Sequence, residues 1–329
     1  MEKSLLNYFE SIGESKSSED IVKIALEGQG KILDRVEMHH MQLVSSDKVE
    51  SLKQSDHVFI ISHSQGVPVS VILLDRLMKE NILDAKKQKI IILMMAGVNH
   101  GPFPYLKANL VVKYFEADAS RELFELNDPQ SAISLKYKYS LQNILTSDTK
   151  LLCVGGWMDQ VVPLYSSLMH GTFHPNILRS AYVETSNDSE DFLIAFISFL
   201  VKLKNKGHQD DNLLILVSEF LAGSLYNDNG HSTLYEDSAV FNLCINWLLA
   251  TDSIYKGDLN LVPIHSTKTS NHYFIPWILH KMLTNPVLLG DPEISADISK
   301  LANLFPLWRP ETKLLRDLKY RLEPITSRL

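Results

Sequence analysis

Cysteine is scarce in this sequence: two residues in 329, Cys153 and Cys244. They lie far apart in apolar stretches and form no C-x-x-C pair, so they read as reduced core residues of an intracellular chain. Long hydrophobic runs are missing as well. No stretch reaches the roughly 18 uninterrupted apolar residues of a membrane span, and the opening Met-Glu-Lys-Ser-Leu-Leu-Asn-Tyr lacks the apolar core of a secretory signal. A cytoplasmic location is the expectation, with peripheral membrane contact through a surface helix left open. Positive charge is in deficit: 32 Lys and Arg stand against 39 Asp and Glu, a formal net charge of −7 with no dense basic stripe. That field disfavours nucleic acid and anionic membranes. No repeat and no low-complexity tract is visible.

What is present is an ordinary globular composition, 45% hydrophobic and 22% charged, in a chain long enough to bury a sizeable core. The most informative stretch is His57-Val-Phe-Ile-Ile-Ser-His-Ser-Gln-Gly-Val-Pro-Val-Ser-Val-Ile-Leu-Leu74. An apolar, β-branched run ends at Ser62, a small polar knot follows, and helical periodicity resumes from Val67 to about residue 80. Lys89–Gly97 and Lys150–Gly156 are continuous apolar runs, the pattern of strands buried on both faces of a parallel sheet. A fourth short strand is expected over Leu178–Val183. Strand–loop segments alternating with helices argue for a doubly wound or related parallel sheet.

Residues 1–50 read as a helical segment, with a second helix opening at Ser18-Glu-Asp and Gly28 and Gly30 as its weak points. Gly28-Gln-Gly30 is not a phosphate loop, since it follows no strand and carries no further Gly or Lys at the needed spacing. A core is expected over 51–250. It carries mixed helical patterning at 104–146, a short helix at 163–170, and a helical insertion at 188–226 in two parts, 188–205 and 212–226. A turn-rich loop, Asn227-Asp-Asn-Gly230-His231, leads into a helix at 236–250 opened by Glu236 and Asp237. The stretch 251–329 is an extension rich in Pro and Trp, with short helices at best before 311–322. The neighbours His39 and His40 read as surface residues, and no metal or cofactor site is indicated.

The knot Ser62-His63-Ser64-Gln65-Gly66 resembles the G-x-S-x-G nucleophile elbow of the α/β-hydrolase superfamily of lipases and esterases, with Ser in place of the first Gly. Gly155-Gly-Trp-Met-Asp159-Gln-Val-Val-Pro163 is similar to the segment carrying that family's acid. Gly230-His231 before a final helix is similar to its histidine loop. The resemblance covers about residues 55–250, and the chain order Ser…Asp…His is the family's. It implies an α/β fold with a mostly parallel sheet flanked by helices, and it makes 104–146 a cap. It implies Ser64 as nucleophile, His231 as general base and acid, Asp159 as the orienting carboxylate and the Gln65 N–H as one oxyanion donor.

The chemistry needs all three side chains. A serine hydroxyl is a weak nucleophile at neutral pH without a base in reach. Imidazole suits that task, and a carboxylate on its other nitrogen fixes the tautomer. Each residue also has a plainer use. Ser64 could cap a helix and Asp159 could close a turn. His170, His174 and His208 are rivals to His231 within the same chain order. His63, Val98, His100 and Phe103 are substrate-pocket candidates. Met94 and Met95 could add apolar lining, although plain core is the commoner use of such residues.

One departure from the family pattern stands out. The second oxyanion donor normally follows an earlier strand, and residues 1–56 contain neither that strand nor a His-Gly motif; the nearest, His100-Gly101, lies after the elbow. A chain shortened at its N-terminus relative to its relatives would account for this. The expected function is a serine hydrolase of carboxylic esters, with a lipid or other apolar acyl ester as the small-molecule substrate. A thioesterase or acyltransferase would use the same residues. A catalytically idle scaffold on a hydrolase fold is the reading from a different class.

Overall fold

The computed structural model describes residues 1–107, 117–183, 191–222, 231, 233–252, 259–262 and 271–326. Parts of the expected cap, helical insertion, histidine loop (Gly230 included) and tail therefore lie outside the described residues. Among the described residues four parallel strands form the sheet: β1 (His57–His63), β2 (Lys89–Met95), β3 (Lys150–Gly156) and β5 (Ile177–Tyr182), hydrogen-bonded in the order β1-β2-β3-β5. A separate ribbon pairs β4 (Thr172–Phe173) antiparallel with β6 (Asn260–Leu261). Before β1 come α1 (Glu2–Ser11), α2 (Ile32–Val44) and α3 (Val49–Gln54); α4 (Gly66–Lys79) connects β1 to β2.

β2 shows how the sequence builds two layers. Successive side chains alternate between faces. Ile90, Ile92 and Met94 enter one buried cluster, and Ile91, Leu93 and Met95 the other. Both faces are covered, so every second residue cannot be polar and the strand is apolar throughout. Met94 and Met95 are thus both core, on opposite sides of the sheet.

The larger layer holds α4, α6 (Ala132–Leu145) and α7 (Leu164–Ser167). Each of the three crossovers β1–β2, β2–β3 and β3–β5 contributes one of them. Because the strand order never reverses, right-handed crossovers all fall on this one face. The sheet is singly wound, which corrects the doubly wound alternative. The opposite face is closed by α10 (Ser238–Leu249), through Val240, Cys244 and Leu248, with α1 packed on it. α4 is fastened to α6 by the buried carboxylate of Asp75, which accepts from Ser140 Oγ (2.8 Å) and Asn143 Nδ2 (3.0 Å) and pairs with Lys79. A buried charge is tolerable when its oxygens are saturated in this way.

Two sequence expectations change. The second helix does not open at Ser18: Ser17 and Asp20 close a single 3-10 turn with a capping box, and α2 begins at Ile32. Its first N–H is taken by Glu122 Oε2 at 2.6 Å, from α5 (Ala117–Glu125), so a partner 90 residues away fixes the start. His39 is not a surface residue. Ile32, Val36, His39 and Leu43 form the inward stripe of α2, which packs on α4, and His39 is 3% exposed.

The tail also departs from expectation. α13 (Pro292–Leu304) is a full helix of 13 residues, preceded by α11 (Ile275–Leu283) and α12 (Pro286–Leu289) and followed by α14 (Lys313–Arg321). α13 packs on α8 (Phe192–Asn205), where the rings of Phe305 and Trp308 meet Phe192 at 5.2 and 4.9 Å. These residues share one buried cluster with the sheet. α9 (Leu213–Ala222) completes that layer.

Two glycines test the packing. A methyl on Gly155 in β3 would lie 2.2 Å from Ser167 Oγ and 3.0 Å from Leu164 Cδ1, whereas one on Gly66 would meet Ser62 Cβ at an ordinary 3.8 Å. The strand-to-helix approach that needs a bare backbone is therefore β3 against α7, not the elbow. Gly155→Ala is expected to lower unfolding free energy by about 1–3 kcal/mol through overpacking, and Gly66→Ala to change it by less than about 0.5 kcal/mol. Urea denaturation of the two variants checks this.

Candidate active site

The parallel sheet brings the carboxyl ends of its strands to one edge, and loops leaving β1 and β3 converge there. At the end of β1, Ser64 has φ +53°, a left-handed conformation that an L-residue adopts only under constraint. The constraint comes from the neighbouring strand. Ser64 N–H donates to the Met95 carbonyl at 2.9 Å, and the Ser64 carbonyl accepts from Val67 N (3.2 Å) and Val98 N (3.4 Å). Ser62 Oγ donates to the Leu93 carbonyl at 3.1 Å one register step back. The turn throws the Ser64 hydroxyl out of the sheet, while α4 starts two residues later.

Asp159 follows β3 and is 2% exposed. Its Oδ1 accepts from the backbone N–H groups of Val161 (2.8 Å) and Val162 (2.9 Å), a turn closed on its own carboxylate. Its Oδ2 accepts from His231 Nδ1 at 2.7 Å. A carboxylate only accepts, so that nitrogen carries the proton, and in the neutral ring Nε2 is left with its lone pair. Nε2 lies 3.1 Å from Ser64 Oγ. The three side chains thus form one hydrogen-bonded file, carboxylate to imidazole to hydroxyl.

The rival histidines lie elsewhere. His170 is buried with Nε2 on Asn212 Oδ1 at 3.0 Å, and His174 Nδ1 accepts from Asn176 N at 3.1 Å. His208 follows the end of α8, its N–H on the Leu203 carbonyl.

Gln65 caps α4, and its side-chain amide donates to the Gly30 carbonyl at 3.2 Å. Its backbone N–H, beside the Ser64 hydroxyl, donates to no other described group. The loop after β2 is held by buried Asn99, which donates to the Ser166 carbonyl at 2.8 Å and accepts from Tyr137 OH at 2.5 Å. Val98 and Phe103 are buried there, Phe103 N–H donating to the Val161 carbonyl in the Asp159 turn at 3.1 Å. His100 turns its Nε2 to the His170 carbonyl at 2.8 Å. Asn99, Tyr137 and Tyr235, whose ring stands edge-on to His63 at 5.4 Å, carry no motif or spacing that marks them in the sequence. Among the described residues no group of three or more His, Cys, Asp or Glu is placed to hold a metal ion, and no helix is long and apolar enough to cross a membrane.

A buried charged cluster adjoins His170, whose Nε2 lies 3.9 Å from Asp210 Oδ1. Lys204 pairs with Asp210 at 3.0 Å, and Arg179 donates to the Leu168 and Thr172 carbonyls. Burial pushes His100 down to about 3, with the His170 charge acting the same way; burial pushes His170 down to about 4 against the pull of Asp210. Both fold as neutral rings, so below pH 6.5 the unfolded chain binds protons that the folded chain does not. Stability is expected to fall between about pH 6.5 and 4, by up to roughly 1.4 kcal/mol per pH unit for each histidine. His100→Gln, whose amide can still donate to the His170 carbonyl, should show a shallower fall. Chemical denaturation across that range measures the slope, and an unchanged slope would count against the assignment.

Comparison with known proteins agrees with this architecture. The family model described as the YMC0/YMC35 alpha/beta hydrolase domain matches residues 4–286. No curated protein and no solved structure matches the chain.

Proposed function

The chain belongs to the YMC0/YMC35 alpha/beta hydrolase domain family, and on that premise we propose that it is a serine hydrolase of carboxylic esters, with Ser64, His231 and Asp159 as its catalytic residues. The observation that carries the reading is the unbroken file of 2.7 and 3.1 Å contacts from Asp159 through His231 to Ser64. Nothing in packing alone asks for a hydroxyl in a left-handed turn, a largely shielded imidazole and a buried carboxylate in one line.

In this reading the Ser64 oxygen attacks the ester carbonyl carbon as its proton passes to His231 Nε2. The imidazolium that forms is stabilised by Asp159, which stays ionised. Negative charge collects on the former carbonyl oxygen, where the Gln65 N–H at the start of α4 donates to it. The tetrahedral species collapses, and the alcohol leaves with the proton from His231. Water then gives a proton to His231 and its oxygen to the acyl carbon, releasing the acid and restoring Ser64. An apolar acyl group is favoured by Phe103 in the loop after β2, whose ring stacks at 5.2 Å on the exposed Tyr105. A lipid ester fits that description, and the same residues would serve a thioester.

A fluorophosphonate probe is expected to label the wild type and not Ser64→Ala. Turnover of medium-chain nitrophenyl esters should fall by at least ~10³-fold in Ser64→Ala and in His231→Ala, with the double variant no worse than either single one. Equal labelling of wild type and Ser64→Ala, with folded protein in both, would remove the reading.

A further inference from the structure

His231 lies in a turn, yet its ring must keep one nitrogen on Asp159 and the other on Ser64. Two hydrogen bonds from the ring fix its plane only if its backbone is held as well. The residue that holds it is His63, the last residue of β1 and the immediate neighbour of Ser64. His63 Nε2 lies 2.8 Å from the His231 carbonyl oxygen. A carbonyl only accepts, so this nitrogen carries a proton and donates it. The two rings are also packed, with centroids 4.7 Å apart and planes at 56°, and the Tyr235 ring stands edge-on to His63 at 86°.

We propose that His63 is a positioning residue for His231, anchoring its carbonyl and bounding the swing of its ring so that the base stays aimed at the Ser64 hydroxyl. The inference rests on the reading of Ser64 and His231 as a hydrolytic pair. Its mechanical sense comes from the chain: nucleophile and anchor are consecutive residues on one strand end, so any movement of β1 carries both together. A strand-end anchor on the base's own backbone suppresses the displacement that costs most, since a misplacement of about 1 Å at a reacting pair loses on the order of 10²-fold in rate. The protonation of His63 agrees with the role. Burial pushes its pKa down and the nearby His231 charge acts in the same direction, against the hydrogen bond to the His231 carbonyl, which raises it. The ring therefore remains neutral beside the imidazolium that forms during turnover and does not compete with it for a proton.

The test compares His63→Leu, which keeps bulk but cannot donate, with His63→Gln, whose amide can reach the carbonyl, and His63→Asn, whose shorter amide cannot. Leu and Asn are expected to lower kcat by ~10–100-fold with KM within about twofold, and Gln to recover most of the loss. A readout independent of turnover is the downfield proton NMR signal of His231 Nδ1–H shared with Asp159, assigned by its disappearance in Asp159→Asn. It should persist in wild type and in His63→Gln and be lost or broadened in His63→Leu and His63→Asn. Persistence of the signal with kcat within twofold of wild type in Leu and Asn would overturn the proposal. If the leucine variant does not fold, the Gln–Asn pair carries the comparison alone. If wild type shows no Ser64-dependent turnover, the hydrolytic reading fails separately. The NMR signal then decides the positioning role, its loss in the non-donating variants supporting it and its survival overturning it.

Discussion

The site depends on the lateral pairing of β1 with β2 at their carboxyl ends. In register, His63 faces Met95, and the next step of the ladder is the bond from Ser64 N–H to the Met95 carbonyl. That bond, with the Val98 N–H on the Ser64 carbonyl, holds a non-glycine residue at φ +53°. A left-handed serine costs of order 1–3 kcal/mol, and only a surrounding structure that over-determines it can keep it there. The β2 run from Ile90 to Met95 supplies that over-determination, because it is buried on both faces and paired on both edges. A hydrolase elbow is thus less a property of its pentapeptide than of the strand beside it.

β3 performs the same service for the carboxylate by different means. Gly155 lets α7 lie against the strand end, and the Asp159 turn saturates one carboxylate oxygen with backbone N–H groups. The second oxygen accepts from His231. Desolvation of an unpaired carboxylate would be expensive, so the buried acid both orients the imidazole and is compensated by it. The loop after β2 is stitched to this turn through Phe103 and to α7 through Asn99, which ties the strand ends that carry Ser64 and Asp159 together.

The features that proved legible in the sequence share one property: their cause is local. β3 was readable to the residue because a doubly covered strand has no polar positions, and α4 was readable because periodicity restarts immediately after a small polar knot. α10 was marked by Asp237, whose side chain accepts from Ala239 N. The features that were missed have distant causes. The start of α2 is set by Glu122, the ribbon of β4 and β6 joins residues some ninety positions apart, and His39 is buried because α2 lies on α4. α13 is a different case. Asp291-Pro292-Glu293 is a capping residue, an N1 proline and a first-turn acid, and the Asp291 side chain does accept from Glu293 and Ile294 N–H. That helix was written in the sequence and obscured by the Pro and Trp content around it.

The candidate triad was legible only in part for the same reason. Residue type, chain order and strand-end position pointed to Ser64 and Asp159, because each follows its strand within a few residues. For His231 sequence distance offered nothing, since four histidines of the expected 51–250 core satisfied the order. Three of them are fastened elsewhere, by Asn212, by Asn176 and at the end of α8. What separates His231 is a backbone carbonyl within reach of His63 and a ring within reach of Asp159. Both partners sit on strand ends that were already readable. The histidine that completes such a file is therefore recoverable from its partners where sequence distance is uninformative, and the x position of the S-x-S-x-G knot carries more information than the motif assigns to it.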